Sequence, residues 1–224
     1  MDLCRACRGH LPGLHARDER GNIVETLCRR CGRRSIGELP GALCAACAAR
    51  PSPFARTVVP WRYDFPLDGL IRRMKYRDER VLARVFGTLL AREAVRTDEP
   101  SRTRIDPPDL VLGVPSSRAR REGGFDHAAA LARWCARESG LPDRSALAER
   151  IVDTGRLAGL SRAAREDRIR GAFRADPRVR GQRVAIVDDI LTSGATAGEL
   201  ARELYDTGAD SVELWVLART PAPD

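Results

Sequence analysis

Apolar residues predict buried strands in the second half of the chain. Three short runs are apolar and almost unbroken, at residues 110–114, 184–187 and 212–217. Pro115 directly follows the first run and ends it. Runs of this kind are typical of strands that are covered on both faces in a parallel sheet. The pattern therefore favours an α/β architecture.

Three apolar stripes with helical spacing lie before and between these runs. One stripe covers residues 81–90 and another covers residues 197–205. Between them, Trp134 and Cys135 fall on the apolar face of a further helix, and we expect both side chains to lie in the core. Strands that alternate with helices in this order form βαβ units, in which the strands are parallel.

Six of the seven cysteines form three C-x-x-C pairs near the N-terminus. The pairs are Cys4 and Cys7, Cys28 and Cys31, and Cys44 and Cys47. In a reducing compartment, paired cysteines in a short Gly- and Pro-containing segment indicate a structural zinc site and not a disulfide framework. Such a site uses four ligands, so six candidates leave the ligand set open.

The later pairs are the favoured zinc ligands. We favour Cys28, Cys31, Cys44 and Cys47. The loop between the two pairs is compact, and Gly32 follows the second cysteine, where the chain must turn tightly. The alternative set combines Cys4 and Cys7 with either of the later pairs.

A proline-rich stretch after the last cysteine pair predicts a domain boundary. Residues 48–60 contain three prolines and little periodicity. The predicted division is a cysteine-rich zinc-binding module, a linker, a main domain and a short tail, at residues 1–50, 51–60, 61–220 and 221–224.

Composition excludes several protein classes. The chain has 224 residues, and its content of 31% charged and 43% hydrophobic residues is that of a globular protein. No stretch reaches the roughly 18–20 uncharged apolar residues that span a bilayer, so no membrane insertion is expected. The first residues include charge and cysteine and predict no secretory signal, so the expected location is the cytoplasm. The net charge of +8 is only a weak indication of anionic partners.

One lysine is a candidate site residue. Lys75 is the only lysine among 39 basic residues, and all the others are arginine. A compact ammonium and a planar guanidinium do not replace each other at a chemical site. A lysine kept in so arginine-rich a chain is therefore worth testing for a role in chemistry.

One predicted strand ends in two carboxylates that are followed by small polar residues. Asp188 and Asp189 come directly after an apolar run, and residues 192–196 are Thr-Ser-Gly-Ala-Thr. Ligands bind at the C-terminal edge of open α/β sheets. Backbone N–H groups at a helix start bind phosphate, and neighbouring carboxylates can hold a diol. The segment therefore predicts a ribose-phosphate site.

Residues 184–196 resemble the phosphoribosyl diphosphate (PRPP) signature of type I phosphoribosyltransferases at every defined position. The resemblance implies an α/β protein with the type I phosphoribosyltransferase fold, a parallel sheet flanked by helices, and a small N-terminal zinc-binding module. It also implies that Asp188 and Asp189 hold the ribose 2′- and 3′-hydroxyls, with Mg2+ as the natural cofactor. The implied 5′-phosphate ligands are Thr192, Ser193, Gly194, Ala195 and Thr196.

Three further segments narrow the family. Residues 61–76, 114–127 and 159–173 are similar to segments of the ComF family, a group linked to DNA uptake in competent bacteria. Together with the cysteine pairs, this resemblance covers nearly the whole chain. It implies two possible partners besides PRPP, namely single-stranded DNA and the DNA-uptake machinery.

The expected chemistry needs cations. When pyrophosphate leaves the ribose, negative charge grows on the leaving group and must be neutralised. The candidates are Lys75, which we group with the two aspartates as catalytic, and Arg118 and Arg121 in the second segment. Ser116 in that segment is expected to contact PRPP. For the two arginines, a solvated loop face is an open alternative.

The chain departs from the family pattern on the pyrophosphate and acceptor sides. Gly123 stands where the family has Arg, and Asp126 stands where it has Asn. Arg168 and Leu157 occupy positions where Asn and Gln are expected. The phosphate loop is intact. The sequence therefore supports binding of PRPP more strongly than turnover.

Three functions remain open on the sequence. The first is PRPP binding with phosphoribosyl transfer to an unknown acceptor. The second is an accessory role with single-stranded DNA, which the core positions of the three tryptophans disfavour because stacking needs exposed rings. The third is a PRPP-sensing regulator without turnover. Residues 155–170 are expected to form a flap over the ligand or an exposed helix, and no oligomeric state is predicted.

Overall fold

The structure, a computed structural model, describes most of the chain. It describes residues 3–14, 26–35, 42–96, 106–116, 125–155 and 161–221. The strands in chain order are β1 (Thr26–Leu27), β2 (Arg34–Ser35), β3 (Arg56–Val58), β4 (Trp61–Arg62), β5 (Leu110–Gly113), β6 (Ala148–Arg150), β7 (Phe173–Ala175), β8 (Arg183–Leu191) and β9 (Ser211–Arg219).

Seven α-helices accompany these strands within the described residues. They are α1 (Arg5–Gly9), α2 (Ala45–Ala49), α3 (Leu67–Tyr76), α4 (Arg80–Val95), α5 (His127–Ser139), α6 (Arg162–Ile169) and α7 (Ala195–Thr207). In this described part of the chain, no helix is both long and apolar enough to cross a membrane.

Parallel strands form the central sheet. Their order is β3–β9–β8–β5, and the short β4 also pairs with β9. Every one of these pairings is parallel. β8 and β9 pair over almost their whole length, from Arg183 opposite Ser211 to Leu191 opposite Arg219. The two long strands therefore form the centre of the sheet, and the short strands flank them.

Helices cover both faces of the sheet. Ile186 of β8 lies in one core cluster with Leu200 of α7. The next residue, Val187, lies in a second cluster with Phe86 of α4 and Leu131 of α5. Successive strand residues face opposite sides of a sheet, so the apolar run of β8 is buried on both faces. The predicted fold class, a parallel sheet flanked by helices, is confirmed.

The predicted strands and helices are present in the structure. β5, β8 and β9 contain the three apolar runs, and α4, α5 and α7 contain the three apolar stripes. β8 and β9 are longer than predicted because they pair with each other beyond the apolar residues. Residues 162–169 form α6, so the helical alternative for the 155–170 segment is confirmed there. Residues 156–160 lie outside the described residues.

Two expectations about packing are wrong. The segment 51–60 is more than a linker, because β3 lies within it and pairs with the free edge of β9, and Phe54 and Val59 are buried. Trp134 is half-buried, because α5 packs through its other apolar residues and leaves this ring beside the guanidinium of Arg137. Cys135 is fully buried, as predicted. The division into domains stays a prediction.

The cysteine-rich segment packs against the edge of the sheet. The backbone N of Leu14 donates to the carbonyl of Pro60 at 2.8 Å. On β3, the backbone N of Thr57 donates to the carbonyl of Arg29 at 2.7 Å. The Thr57 hydroxyl donates to the carbonyl of Arg30, also at 2.7 Å. The two bonds from Thr57 connect the turn between Cys28 and Cys31 directly to the sheet.

Candidate functional site

The acidic pair lies where β5 ends and β8 continues. Gly113, the last residue of β5, pairs with Val187, which directly precedes the two aspartates. β8 continues to Leu191 because β9 still pairs with it there. Asp188 and Asp189 therefore lie beyond the end of β5, at the C-terminal edge of the sheet, where α/β proteins bind ligands.

Side chains from two helices enclose Asp189. Its Oδ2 atom lies 2.9 Å from Nζ of Lys75 and 2.7 Å from Nε2 of His127. Lys75 is in the last turn of α3, and His127 is the first residue of α5. The side chains of Asp189 and His127 are each 5% exposed, and that of Lys75 is 18% exposed. We call this group the Lys75–Asp189–His127 cluster.

The charges in this cluster support each other. Burial alone would raise the pKa of Asp189, but the hydrogen bond from His127 and the charge of Lys75 lower it below its usual value. Burial alone would lower the pKa of Lys75, but the carboxylates of Asp189 and Asp188 raise it. Lys75 and Asp189 are therefore an ion pair, and removal of either partner would leave the other buried charge with only part of its compensation.

Asp188 has a different environment from its neighbour. Burial, and then the negative charge of Asp189, raise the pKa of Asp188 to about 7. Its Oδ1 atom accepts a hydrogen bond from the backbone N of Asp189 at 2.8 Å. The Asp188 side chain lines a cavity. The Asp189 carboxylate instead contacts Lys75 and His127. Asp188 is therefore the carboxylate that a ligand can reach.

A cavity of about 320 Å³ lies at the end of β8. Its lining includes Asp188 and the whole of the loop at residues 192–196. Gly194 precedes α7 with φ at 79°, in the left-handed region that favours glycine. Ala195 and Thr196 begin the helix, whose N–H groups and dipole make this end positive. The cavity thus combines a carboxylate with an anion-binding helix end.

A basic side chain from α6 also reaches this cavity. Nη1 of Arg165 donates to Oγ1 of Thr192 at 3.4 Å, and Arg165 is part of the cavity lining. A guanidinium is suited to bind phosphate oxygens. The structure therefore adds one cation to the predicted site.

Ser116 connects its segment to α5. Its hydroxyl donates to Oδ2 of Asp126 at 2.6 Å, and the side chain is buried. Oδ1 of Asp126 accepts a hydrogen bond from the backbone N of Ala129 and so caps α5. Asp and Asn cap helices equally well, so this departure from the family pattern keeps the cap. The contact of Ser116 with PRPP stays a prediction. Outside the described residues lie Arg118, Arg121, Gly123 and Leu157.

The two later cysteine pairs come together in a four-cysteine cluster. Its members are Cys28, Cys31, Cys44 and Cys47, whose sulfur atoms all lie within 4.8 Å of one another. Zn–S bonds of about 2.3 Å in a tetrahedron place the sulfur atoms about 3.8 Å apart. The cluster could therefore hold a zinc ion, and it is the set that the sequence favours. Cys4 and Cys7 are exposed and do not join this cluster.

Charge in the cluster also fits a metal ion. The hydrogen bond with Cys31 lowers the pKa of Cys28 to about 4, and the same bond and burial raise the pKa of Cys31. Without a cation, neighbouring thiols cannot all ionise at neutral pH. A bound Zn2+ would supply the positive charge that lets all four become thiolates.

The sequence analysis did not identify two residues of the site, His127 and Arg165. His127 is far from Asp189 in the sequence and follows no recognisable spacing, so only the packing of α5 against β8 brings the two together. Arg165 is the arginine of the Leu-Ser-x-x-x-Arg pattern in the segment at residues 159–173 that resembles the ComF family, but the sequence analysis assigned no ligand contact to it. Its role depends on the position of α6 beside the loop.

The chain is similar over almost its whole length to proteins whose names refer to DNA utilization or competence. It is 30% identical over 226 residues to DNA utilization protein YhgH of Salmonella typhimurium, and the match covers 97% of each chain. It is 31% identical to DNA utilization protein YhgH of Salmonella typhi, with the same coverage. Competence protein F of Haemophilus influenzae is 28% identical over 228 residues, covering 96% of each chain. No family model matches the chain.

Two solved enzyme structures also match part of the chain. The glutamine PRPP amidotransferase of B. subtilis, complexed with ADP and GMP, matches at 26% identity and a TM-score of 0.40, over 60% of this chain and 25% of that one. Leishmania donovani UMP synthase matches at 20% identity and a TM-score of 0.33, over 67% of this chain and 23% of that one. The match thus spans about a quarter of each solved chain.

Proposed function

The chain belongs to the ComF family, and from this premise we propose that it binds PRPP with Mg2+ in the cavity at the end of β8. One observation carries the proposal. A single cavity is lined both by Asp188 and by the complete loop at residues 192–196. A ribose phosphate needs both groups, because the helix end binds the phosphate and the carboxylate accepts hydrogen bonds from the sugar hydroxyls.

Each part of the site has a role in this proposal. The loop at residues 192–196 holds the 5′-phosphate, and Asp188 binds the ribose hydroxyls. The resemblance implies a ribose contact for Asp189 as well, but we give it a different role because Lys75 and His127 contact its carboxylate. Asp189 fixes Lys75 at the C-terminal edge of the sheet. Mg2+ prefers oxygen ligands and keeps several of its waters. Asp188 would hold the ion beside the diphosphate, where its charge would offset that of the leaving pyrophosphate.

We extend the proposal to phosphoribosyl transfer. Loss of pyrophosphate leaves positive charge on the ribose and puts negative charge on the leaving group, so catalysis depends on positioned charges. Lys75, paired with Asp189 beside the ribose-binding Asp188, is the cation that would stabilise the leaving group. Arg165, bonded to Thr192, would contact the 5′-phosphate. A screen for pyrophosphate release with nucleobases and amines tests transfer. Binding of PRPP without release under any condition would favour a PRPP sensor instead.

Thermal unfolding with Mg2+ and PRPP tests the binding step. We expect PRPP to raise the midpoint of the wild type and to leave the midpoint of Asp188→Asn unchanged, because the amide lacks the charge and one acceptor. Asp206→Asn is the matched control, since Asp206 is an exposed carboxylate at the opposite end of α7. A folded wild-type protein that shows no rise contradicts the proposal.

The four-cysteine cluster is proposed as a structural zinc site. The distances among its sulfur atoms support this proposal. The first C-x-x-C turn of the cluster is hydrogen-bonded to β3, so a metal there would stiffen the edge of the sheet.

Binding of single-stranded DNA is a second candidate function, and the exposed side of α3 favours it. Phe65 and Tyr76 are 84% and 74% exposed. Arg72, Arg73 and Arg77 line a surface cavity of about 360 Å³ together with Tyr76. Exposed rings stack on bases, and arginines bind the phosphates between them. The names of the relatives agree with a ligand of this kind.

Titration of labelled single-stranded DNA tests this second function. We expect Phe65→Ala with Tyr76→Ala to weaken binding at least tenfold, and added salt to weaken it further. Val152→Ala removes an exposed apolar side chain elsewhere and should have no effect. Equal affinity of the wild type and the double variant contradicts a DNA site on α3.

A further inference from the structure

Arg219 is a buried arginine at the end of the central sheet. It is the last residue of β9, is 8% exposed and forms no ion pair with a carboxylate in the described part of the chain. Its Nη1 atom donates to the backbone carbonyl of Cys31 at 2.8 Å. By contrast, Arg183 on the neighbouring strand pairs with Asp109. A buried guanidinium without an anion is costly, so its compensating charge must come from another group.

The cysteine cluster is the source of negative charge beside Arg219. Nη1 of Arg219 is bonded to the backbone carbonyl of Cys31, one of the four cluster cysteines, so the guanidinium lies against the cluster. A zinc ion with four thiolate ligands carries a net charge of about −2. The metal-loaded cluster would therefore compensate the buried guanidinium with more negative charge than the metal-free cysteines, which cannot all ionise.

Arg219 also lies beside the start of the phosphate loop. In the sheet it pairs with Leu191, the residue that precedes Thr192. The next residue, Thr220, donates its backbone N–H to the carbonyl of Leu191 at 3.1 Å. Consecutive contacts thus lead from the carbonyl of Cys31 through Arg219 to Leu191, the residue directly before the loop.

We propose that Arg219 is a positioning residue: it is the counter-ion of the metal-loaded cysteine cluster and couples metal loading to the start of the phosphate loop. The inference rests on the proposed zinc site and does not require PRPP. Coupling of this kind is reciprocal, because the attraction that holds the arginine also holds the metal. Removal of the positive charge must therefore weaken metal binding.

Competition for Zn2+ between the purified protein and a chromogenic chelator tests the counter-ion role. We expect Arg219→Gln to release zinc at a chelator concentration at least tenfold lower than the wild type does. Arg219→Lys keeps the charge and should lie between the two. Arg183→Gln is the matched control, because it removes an arginine at the opposite end of the same strand pair. Circular dichroism establishes that each variant is folded before the comparison.

Two results of this competition overturn the inference. One is wild-type zinc affinity in Arg219→Gln. The other is an Arg219→Lys variant that loses zinc as readily as Arg219→Gln, because a counter-ion must act through its charge. A wild-type protein that binds no zinc contradicts instead the proposed zinc site, so the two failures are distinguishable.

Hydrogen exchange on the wild type tests the coupling without any variant. We expect metal removal to speed exchange of the Thr220 amide, which is bonded to Leu191, at least tenfold. The amide of Val111, on the far strand of the sheet, should keep its rate. Exchange at Thr220 that does not respond to the metal overturns the coupling.

Discussion

Asp188 and Asp189 are neighbours in the sequence but have different environments. Asp189 is enclosed by Lys75 and His127, and its pKa is lowered, whereas Asp188 lines the cavity, and its pKa is raised. The difference comes from their partners, since both are carboxylates on one strand. Asp188 is the group that contacts the ligand in our account, and Asp189 positions Lys75.

The buried 2.7 Å contact between Nε2 of His127 and Oδ2 of Asp189 gives a first prediction. His127→Phe removes this polar contact, and we expect the free energy of unfolding to fall by about 1–3 kcal/mol. His127→Gln keeps a donor and should recover part of the loss. Urea unfolding measures both variants. His10→Gln, at an exposed position, is the control, and a His127→Phe variant as stable as the wild type contradicts this role.

The raised pKa of Asp188 gives a second prediction. Because the folded protein holds this proton more tightly than the unfolded chain, its contribution to stability is present below about pH 4 and is lost as the pH rises towards 7. Asp188→Asn has no such loss. Urea unfolding should therefore show a larger advantage of the variant over the wild type at pH 8 than at pH 5. An equal difference at both values contradicts the prediction.

The helices and strands show which features the sequence could predict. The apolar runs of β5, β8 and β9 were recognisable because both faces of these strands are buried. β3 was not, because prolines surround it and its residues are only half-buried. Asp188 and the loop at residues 192–196 were predictable because they are contiguous in the sequence. His127 was not, because its contact with Asp189 depends on how α5 packs on the sheet.

A pair of glycines tests the helix packing at the scale of elements. A Cβ at Gly87 on α4 would lie 2.6 Å from Cβ of Trp134 on α5, whereas a Cβ at Gly69 on α3 would meet nothing within 4 Å. We expect Gly87→Ala to lower the free energy of unfolding by about 1–3 kcal/mol. Gly69→Ala should raise it by up to about 1 kcal/mol through helix propensity. Chemical denaturation compares the two, and a stabilising Gly87→Ala contradicts the packing.

The whole molecule joins a cysteine cluster and a ligand cavity through one sheet. The first C-x-x-C turn of the cluster is bonded to β3, and Arg219 links the cluster to the end of β9. β9 in turn pairs with β8, which carries the acidic pair and leads into the phosphate loop. The cysteine-rich segment thus packs against the sheet whose C-terminal end carries the proposed ligand site.

Zinc content tests this organisation. We expect Cys4→Ser with Cys7→Ser to retain the zinc of the wild type, because these residues lie outside the cluster. Cys44→Ser should lose it and unfold at a lower temperature. Elemental analysis and thermal unfolding measure the two effects. Loss of zinc from the Cys4 and Cys7 variant contradicts the assigned ligand set.

Calorimetric titration of the zinc-loaded protein with PRPP in the presence of Mg2+ measures the proposed binding itself. We expect saturable binding that Asp188→Asn weakens at least tenfold and Asp206→Asn leaves unchanged. Absence of binding to the folded wild type, or equal affinity in Asp188→Asn, would contradict the proposal.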